Sequence, residues 1–271
     1  MRFPLLEVTI FIAIALGGYV IASGPMDWCK HFLASLTLTN AYIPRADYFF
    51  SFNSPSWSLC CEQLFYLSFP FLVLIAKNYK NLLYVFLVSA ILIIIGMHFT
   101  PENDIKGYWY VNPITRFPDF IVGMLLFQLY DRLKNRNITS YQGSIIEIAS
   151  IVLFLVFYLY AAEIPKVYRY SCYYWFPVAF ILISFSLQKG VVSRLLSNRI
   201  LVIGGEISYS FYLIHLFVLL SYVKWQKESD FHIAWYISIP ILFCIIVLLS
   251  LLSYYYFEKP MNKRVKALLS K

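Results

Sequence analysis

Apolar runs close to twenty residues long recur through almost the whole chain, and they limit what it can fold into. Segments 5–22, 56–76, 82–98, 114–130, 145–162, 171–187, 206–223 and 233–257 each approach the length of a membrane-crossing helix. About 20 apolar residues span the hydrocarbon core of a bilayer. Hydrophobic residues make up 61% of the 271 and charged ones only 13%, too little charge to keep a soluble domain of this length dispersed. The polar connections are short and no internal repeat is visible. The expectation is an all-α, polytopic transmembrane helical bundle of about eight spans, with residues 1–271 forming one membrane-embedded domain. The first run has only Arg2 before it and leads into seven more, so it reads as an uncleaved span rather than a signal peptide.

The formal net charge of +8 raises the question of a nucleic-acid partner, and the distribution of charge answers it. Taking alternate loops, one side collects 14 Lys and Arg, among them Lys77, Lys80, Arg132, Lys134 and the closing run from Lys259 to Lys271, against 7 on the other. Over short loops the richer side is cytoplasmic. Both termini are therefore expected inside, and the basic residues belong to the bilayer, not to nucleic acid. Trp28, Trp57, Tyr108, Trp109, Tyr110, Tyr173, Tyr174, Trp175, Trp225 and Trp235 fall at span ends on the other side, where amphipathic rings form an interfacial belt. No Cys/His cluster has zinc spacing, so no metal is expected. Cys29 and Cys172 share the outer side in this topology, which permits a disulfide without establishing one.

Ionisable groups at membrane depth are costly unless paired or placed in a wet cavity. Glu62 is the first. It sits one turn into an apolar segment with Ser58 four residues before and Tyr66 four after, on one helical face. It reads either as a catalytic carboxylate or as a tie to a neighbouring helix. Arg116 and Asp119, three apart at a helix start, can pair with each other or hold an anionic or polyol substrate. Gly123 nearby is expected to permit close helix packing. His215 lies about two turns into a span, where it can be a base or a structural hydrogen-bond partner. Ser208, Tyr212 and His215 share a face expected to look into the bundle. Glu258 is expected to pair with surface basic residues, and Glu7 and Glu147 to snorkel from span ends. There is no G-x-S-x-G elbow and no P-loop.

Three stretches taken together resemble the acyltransferase-3 family. They are Trp57-Ser58-Leu59…Glu62…Phe65-Tyr66-Leu67, Arg116…Asp119-Phe120…Gly123-Met124, and Ile207-Ser208-Tyr209-Ser210-Phe211-Tyr212-Leu213…His215. The closing Tyr256-Phe257-Glu258-Lys259-Pro260 fits as well. The resemblance implies a bacterial inner-membrane bundle that moves an acyl group, commonly acetyl from acetyl-CoA or another acyl-CoA, onto a hydroxyl of a surface or exported glycan such as lipopolysaccharide. It implies Glu62 in the chemistry and Trp57, Tyr66, Arg116 and Asp119 around the substrate, while the histidine that serves the family as base has no match here and His215 is the residue that can be put forward in its place. Family members typically have about ten spans, the first bearing an arginine and a histidine. Met1-Arg2-Phe3-Pro4-Leu5-Leu6 resembles only the tail of a later arginine-rich stretch. The sequence is thus expected to be an amino-terminally shortened member, possible partners including one that supplies the absent helices. Two other classes stay open: a non-catalytic membrane scaffold or relic, and a small-solute transporter with the buried charges along its path.

Overall fold

The computed structural model describes residues 22–229 and 233–269, and every regular element among them is helical. The run 5–22, Glu7 and the opening stretch 1–6 lie outside the described part, apart from residue 22. The main helices are α1 (Pro25–Leu36), α2 (Trp57–Ala76), α3 (Tyr79–His98), α4 (Phe117–Leu133), α5 (Ser140–Tyr160), α6 (Trp175–Ser186), α7 (Val191–Leu196), α8 (Arg199–Glu228), α9 (Trp235–Ser253) and α10 (Lys259–Leu269).

Local sequence explains several of the boundaries. The Asn78 side chain accepts the Lys80 amide at 3.0 Å and starts α3. Thr139 and Gln142 form a reciprocal capping box at α5, satisfying two of the amides a helix start leaves unpaired. Pro118 occupies the first turn of α4, where its missing N–H costs nothing.

Among the described residues, five helical segments are long and apolar enough to cross a membrane: Ser54–Ala76, Tyr79–His98, Ser140–Glu163, Arg199–Glu228 and Trp235–Arg264. Cys172–Ser186 is a shorter apolar helix. The span expected over 114–130 begins only at Phe117, because residues 113–116 turn, and its 17-residue helix carries Asp119, Asp131 and Arg132. Eight full-length spans are therefore more than the described residues supply.

The chain divides into two compact units. One contains α1, the segment Ala46–Ser56 and α8 to α10. Its largest sealed side chains include Phe52, His31, Asn53 and Leu213, and Asn53 reaches the Leu213 carbonyl at 3.4 Å. The other, Ala41–Arg45 with Trp57–Asn198, packs α2 against α3 and α4, α3 against α4, and α6 against α4 and α5. Leu59, Leu82, Met97, Val111 and Ile121 fill its interior. Buried serines at helix contacts return their hydroxyls to their own helices, as Ser184 to the Phe180 carbonyl at 2.6 Å and Ser250 to that of Ile246 at 2.6 Å. Small polar residues of this kind let helices approach in lipid. The outward faces are the reverse of a soluble protein's: Leu67, Phe71, Leu74, Leu92 and Leu159 are all exposed, a surface suited to hydrocarbon.

Candidate active site

The connection from α2 to α4 and α6 is built from aromatic rings and one ion pair. Trp57 opens α2, and its ring meets that of Tyr110 at 5.0 Å, tilted by 44°. Tyr110 ends a five-residue π-helical turn, Lys106–Tyr110. Its carbonyl accepts the Arg116 Nε–H at 2.8 Å, and the guanidinium lies 5.3 Å from its ring centroid. A terminal N–H of Arg116 donates to Asp119 Oδ2 at 3.2 Å. The other carboxylate oxygen, Oδ1, accepts the Trp175 indole N–H at 2.5 Å. Thus Trp57, Tyr110, Arg116, Asp119 and Trp175 form one continuous array. Both oxygens of Asp119 receive charge-assisted bonds, the stronger class.

Glu62 stands one turn along α2, half-buried, and accepts the Tyr66 hydroxyl at 3.2 Å. The expected i,i+4 contact is therefore present, although Tyr66 itself is 59% exposed. One turn further, Phe65 stacks on Phe120 of α4 at 4.9 Å and 4°.

Two cavities border Asp119. The smaller, about 320 Å³, is lined by Arg116, Asp119, Ser171, Tyr174 and Trp175 with apolar residues of α4 and α6. Ser171 is 4% exposed, and its hydroxyl has no hydrogen-bond partner. The larger, about 810 Å³, runs between α2 and α4 from Phe65 and Asp119 to Lys77 and Gln128. Gly123 borders both. A Cβ at Gly123 would meet nothing within 4 Å, so this glycine opens space rather than closing helices together as its sequence context implied.

Other expectations need correction. Glu147 does not snorkel: it is completely buried, with its two oxygens accepting the amides of Gly190 at 2.9 Å and Ser193 at 3.1 Å. It satisfies the start of α7, whose first amides have no partner of their own. Glu258 also accepts the Ser210 hydroxyl of α8, a contact its sequence position did not announce. The buried face of α8 carries Ile207, Ser210, Leu213 and Phe217, whereas Ser208 is exposed. The Ser208–Tyr212–His215 stripe is therefore not the packed face. His215 is half-buried, and its Nδ1 contacts the Tyr212 carbonyl at 2.7 Å. A carbonyl only accepts, so Nδ1 carries a proton and Nε2 is the basic nitrogen of the neutral ring. His215 belongs to the first unit, and the other candidate residues to the second.

Cys29 and Cys172 are not joined in a disulfide. Two residues assigned to the interfacial belt have inward roles. Trp175 holds Asp119. Trp109 is 8% exposed, packs with Ile93, Met97 and Ile105, and donates its indole N–H to Thr100 at 2.9 Å.

Tyr110, Ser171 and Trp175 have no local signal as site residues, since only tertiary packing brings them to Arg116 and Asp119. His31 was also missed, although Asp27 and His31 are four apart on α1. Its ring is sealed, lies 4.0 Å from that of Tyr48, and points Nε2 toward carboxylate oxygens of Asp27 and Asp47, each 3.8 Å away. Neither ring nitrogen has a hydrogen-bond partner. Asp27 is held below the usual carboxylate range, chiefly by the Ser23 amide. Among the described residues no group of three or more His, Cys, Asp or Glu side chains is arranged to hold a metal ion.

The five long apolar helices define an integral membrane protein, and the cavity between α4 and α6, lined by a guanidinium, a carboxylate and a hydroxyl, gives it a polar site. The acyltransferase domain of the acyltransferase-3 family matches residues 5–255, and the chain belongs to that family. It is 29% identical over 228 residues to a Staphylococcus aureus (strain COL) protein named "Putative O-acetyltransferase", covering 78% of this chain and 37% of that protein. It is 25% identical over 222 residues to the O-acetyltransferase OatA of S. aureus (strain NCTC 8325 / PS 47), covering 77% of this chain and 36% of that protein. An uncharacterized protein of Haemophilus influenzae (strain Rd) is 29% identical over 137 residues, 45% of this chain and 55% of that protein. The chain thus spans little more than a third of the length of the O-acetyltransferases it matches. No solved structure matches it.

Proposed function

We propose that the chain transfers an acetyl or similar acyl group from an acyl thioester, acyl-CoA, to a hydroxyl of a surface or exported glycan at a bacterial cytoplasmic membrane. The observation that carries this is the cavity at Arg116 and Asp119, which joins an ion pair to an unpartnered buried hydroxyl, Ser171. Its volume of about 320 Å³ suits one sugar ring. An unmade hydrogen bond on a buried hydroxyl costs about 1–3 kcal/mol, which a polyol ligand would recover.

In this reading the acceptor oxygen attacks the acyl carbon and forms the new C–O bond. The C–S bond breaks. The hydroxyl proton passes by way of the Asp119 carboxylate to the departing sulfur, leaving an ester and a free thiol. The Arg116 guanidinium and the Ser171 hydroxyl are donors for the oxyanion that develops on the carbonyl, in a site where donors are already oriented. Tyr110, with Trp57 packed on its ring, holds Arg116 from behind. Glu62 with Tyr66 orients the acceptor; His215 lies in the other unit and is given no step in this transfer.

The test is acyl transfer by the full polypeptide in bacterial membranes supplied with acetyl-CoA, read as alkali-labile acetate on glycan. Asp119→Asn and Glu62→Gln are expected to lose transfer per folded molecule. Undiminished transfer by Asp119→Asn rejects the reading. Solute uptake independent of acetyl-CoA would replace it with a transporter.

A further inference from the structure

Beyond the last long span the chain adds a helix that the chemistry above does not use. α10, Lys259–Leu269, follows α9 through a π-helical turn, Tyr254–Glu258. At helical spacing Lys259, Lys263 and Lys266 fall on one side, and Met261, Val265 and Leu268 on the opposite one. Lys259, Lys263, Arg264 and Lys266 are exposed, and Met261 is half-buried. From Lys259 to Lys271 the sequence holds five basic residues and no acidic one. Among the described residues, the main contacts of α10 are with the π-helical turn before it and not with another long helix. That turn is aromatic. Tyr255 and Tyr256 are exposed, and Lys259 Nζ lies 5.3 Å from the ring centroid of Tyr255 and 6.0 Å from that of Tyr254. Exposed tyrosines at the end of a span settle at the headgroup level, which places the first lysine of α10 at the depth of the lipid phosphates.

We propose that α10 binds anionic phospholipid, its basic side taking headgroup phosphates in whichever leaflet this end of α9 reaches. Charge complementarity selects the occupant: an uninterrupted basic run directly after a span matches a surface of anionic lipid. A helix of low overall hydrophobicity with segregated basic and apolar sides is suited to the same boundary. Nucleic acid would meet the same charges but would leave the apolar side without a partner, and a zwitterionic headgroup brings no net charge to match. The contact also reaches the bundle. Glu258, the residue before α10, accepts the Ser210 hydroxyl of α8, and Ser210 Oγ lies 3.1 Å from Ser253 Oγ at the end of α9. Lipid held by α10 therefore fixes the junction of α8 and α9. The assignment stands apart from the acyl-transfer reading.

The test equilibrates the full chain in mild detergent with an equimolar mixture of phosphatidylglycerol and phosphatidylcholine. The lipid retained on the protein after gel filtration is then quantified. Phosphatidylglycerol should be enriched, and the enrichment should disappear at about 0.5 M salt, where charges at the surface are screened. Each basic residue near an anionic surface contributes roughly fivefold. The combined variant Lys263→Gln, Arg264→Gln and Lys266→Gln should therefore lose enrichment by about tenfold or more, with an unchanged unfolding midpoint in phosphatidylcholine alone. A control with the same change in charge, Lys77→Gln, Lys80→Gln and Lys189→Gln, alters three exposed lysines elsewhere and should keep it. Phosphatidylglycerol should also raise the unfolding midpoint of the unaltered chain and not that of the α10 variant. Undiminished enrichment in the α10 variant overturns the proposal and leaves the helix to a partner of another kind. An equal loss in the control overturns it too, by tracing the preference to net charge.

Discussion

Glu147 and Asp119 are carboxylates of the same unit, each inside an apolar helical environment, and they are accommodated in different ways. Glu147 is completely sealed, and its two oxygens take backbone amides at the start of α7. Gly143 and Gly190 allow this close approach: a Cβ on Gly143 would fall 2.7 Å from the Lys189 backbone, and one on Gly190 would overlap the carboxylate. Asp119 is also bonded through both oxygens, but to side chains, and its side chain keeps 33% of its exposure. It borders two cavities. A carboxylate at membrane depth is therefore not diagnostic by itself. What separates the two is whether room for another molecule remains once the partners are in place.

The largest expected effect tests the first half of that contrast. Glu147→Ala leaves two buried amides without acceptors, at about 1–3 kcal/mol each. It should lower unfolding stability in detergent by roughly 2–5 kcal/mol, with any loss of transfer explained by loss of folded protein. Glu147→Gln keeps one acceptor oxygen and should cost less. Gly190→Ala should resemble Glu147→Ala, because the added carbon displaces the same carboxylate. Normal stability in Glu147→Ala would remove the distinction between a structural and a functional acid.

Asp119→Asn is the counterpart. It preserves shape but turns one acceptor oxygen into a donor facing Arg116 or Trp175, so about 1–3 kcal/mol of stability is lost, while transfer per folded molecule falls about 100-fold or more if the carboxylate carries the proton. A destabilisation as large as that of Glu147→Ala, with turnover per folded molecule intact, would make Asp119 a second structural acid.

Trp175→Phe probes the same carboxylate from the other side. It removes the N–H that reaches Asp119 Oδ1 at 2.5 Å but keeps a ring near Phe86, now 5.5 Å away. Hydrogen bonds to charged groups contribute about 1.5–3 kcal/mol, so a loss of about tenfold in transfer is expected at small cost in stability. Measured together with Asp119→Asn, the two changes should be far from additive, since one acts only through the other.

How far the sequence reveals this arrangement depends on the range over which each signal acts. Helical class, the long apolar segments and the contacts of Tyr66 with Glu62 and of Arg116 with Asp119 are local, and helical spacing makes them legible. The roles of Trp175 and Trp109 are not local. An indole at a span end looks the same whether it meets headgroups or turns inward to Asp119 or Thr100. Glu147 was misread for the same reason: its partners are some 43–46 residues away. Gly123 was misread because a glycine beside an apolar stripe is compatible with both close packing and a void. His31 left a signal in its spacing from Asp27, but its burial and the approach of Asp47 come only from folding.

Tyr66→Phe is the smallest change and decides where the comparison ends. Its hydroxyl donates to Glu62 at 3.2 Å from an exposed ring, so the bond is long and open to competition from water. A net value near the lower end of about 0.5–1.5 kcal/mol follows, or roughly a two- to threefold loss of transfer. Stability should not change measurably. If the loss instead equalled that of Asp119→Asn, the chemistry would centre on Glu62, and the Asp119 cavity would bind substrate without performing the proton transfer. If Glu62→Gln proved as mild as Tyr66→Phe, the pair would orient the acceptor alone, and the proton would have to pass through Asp119.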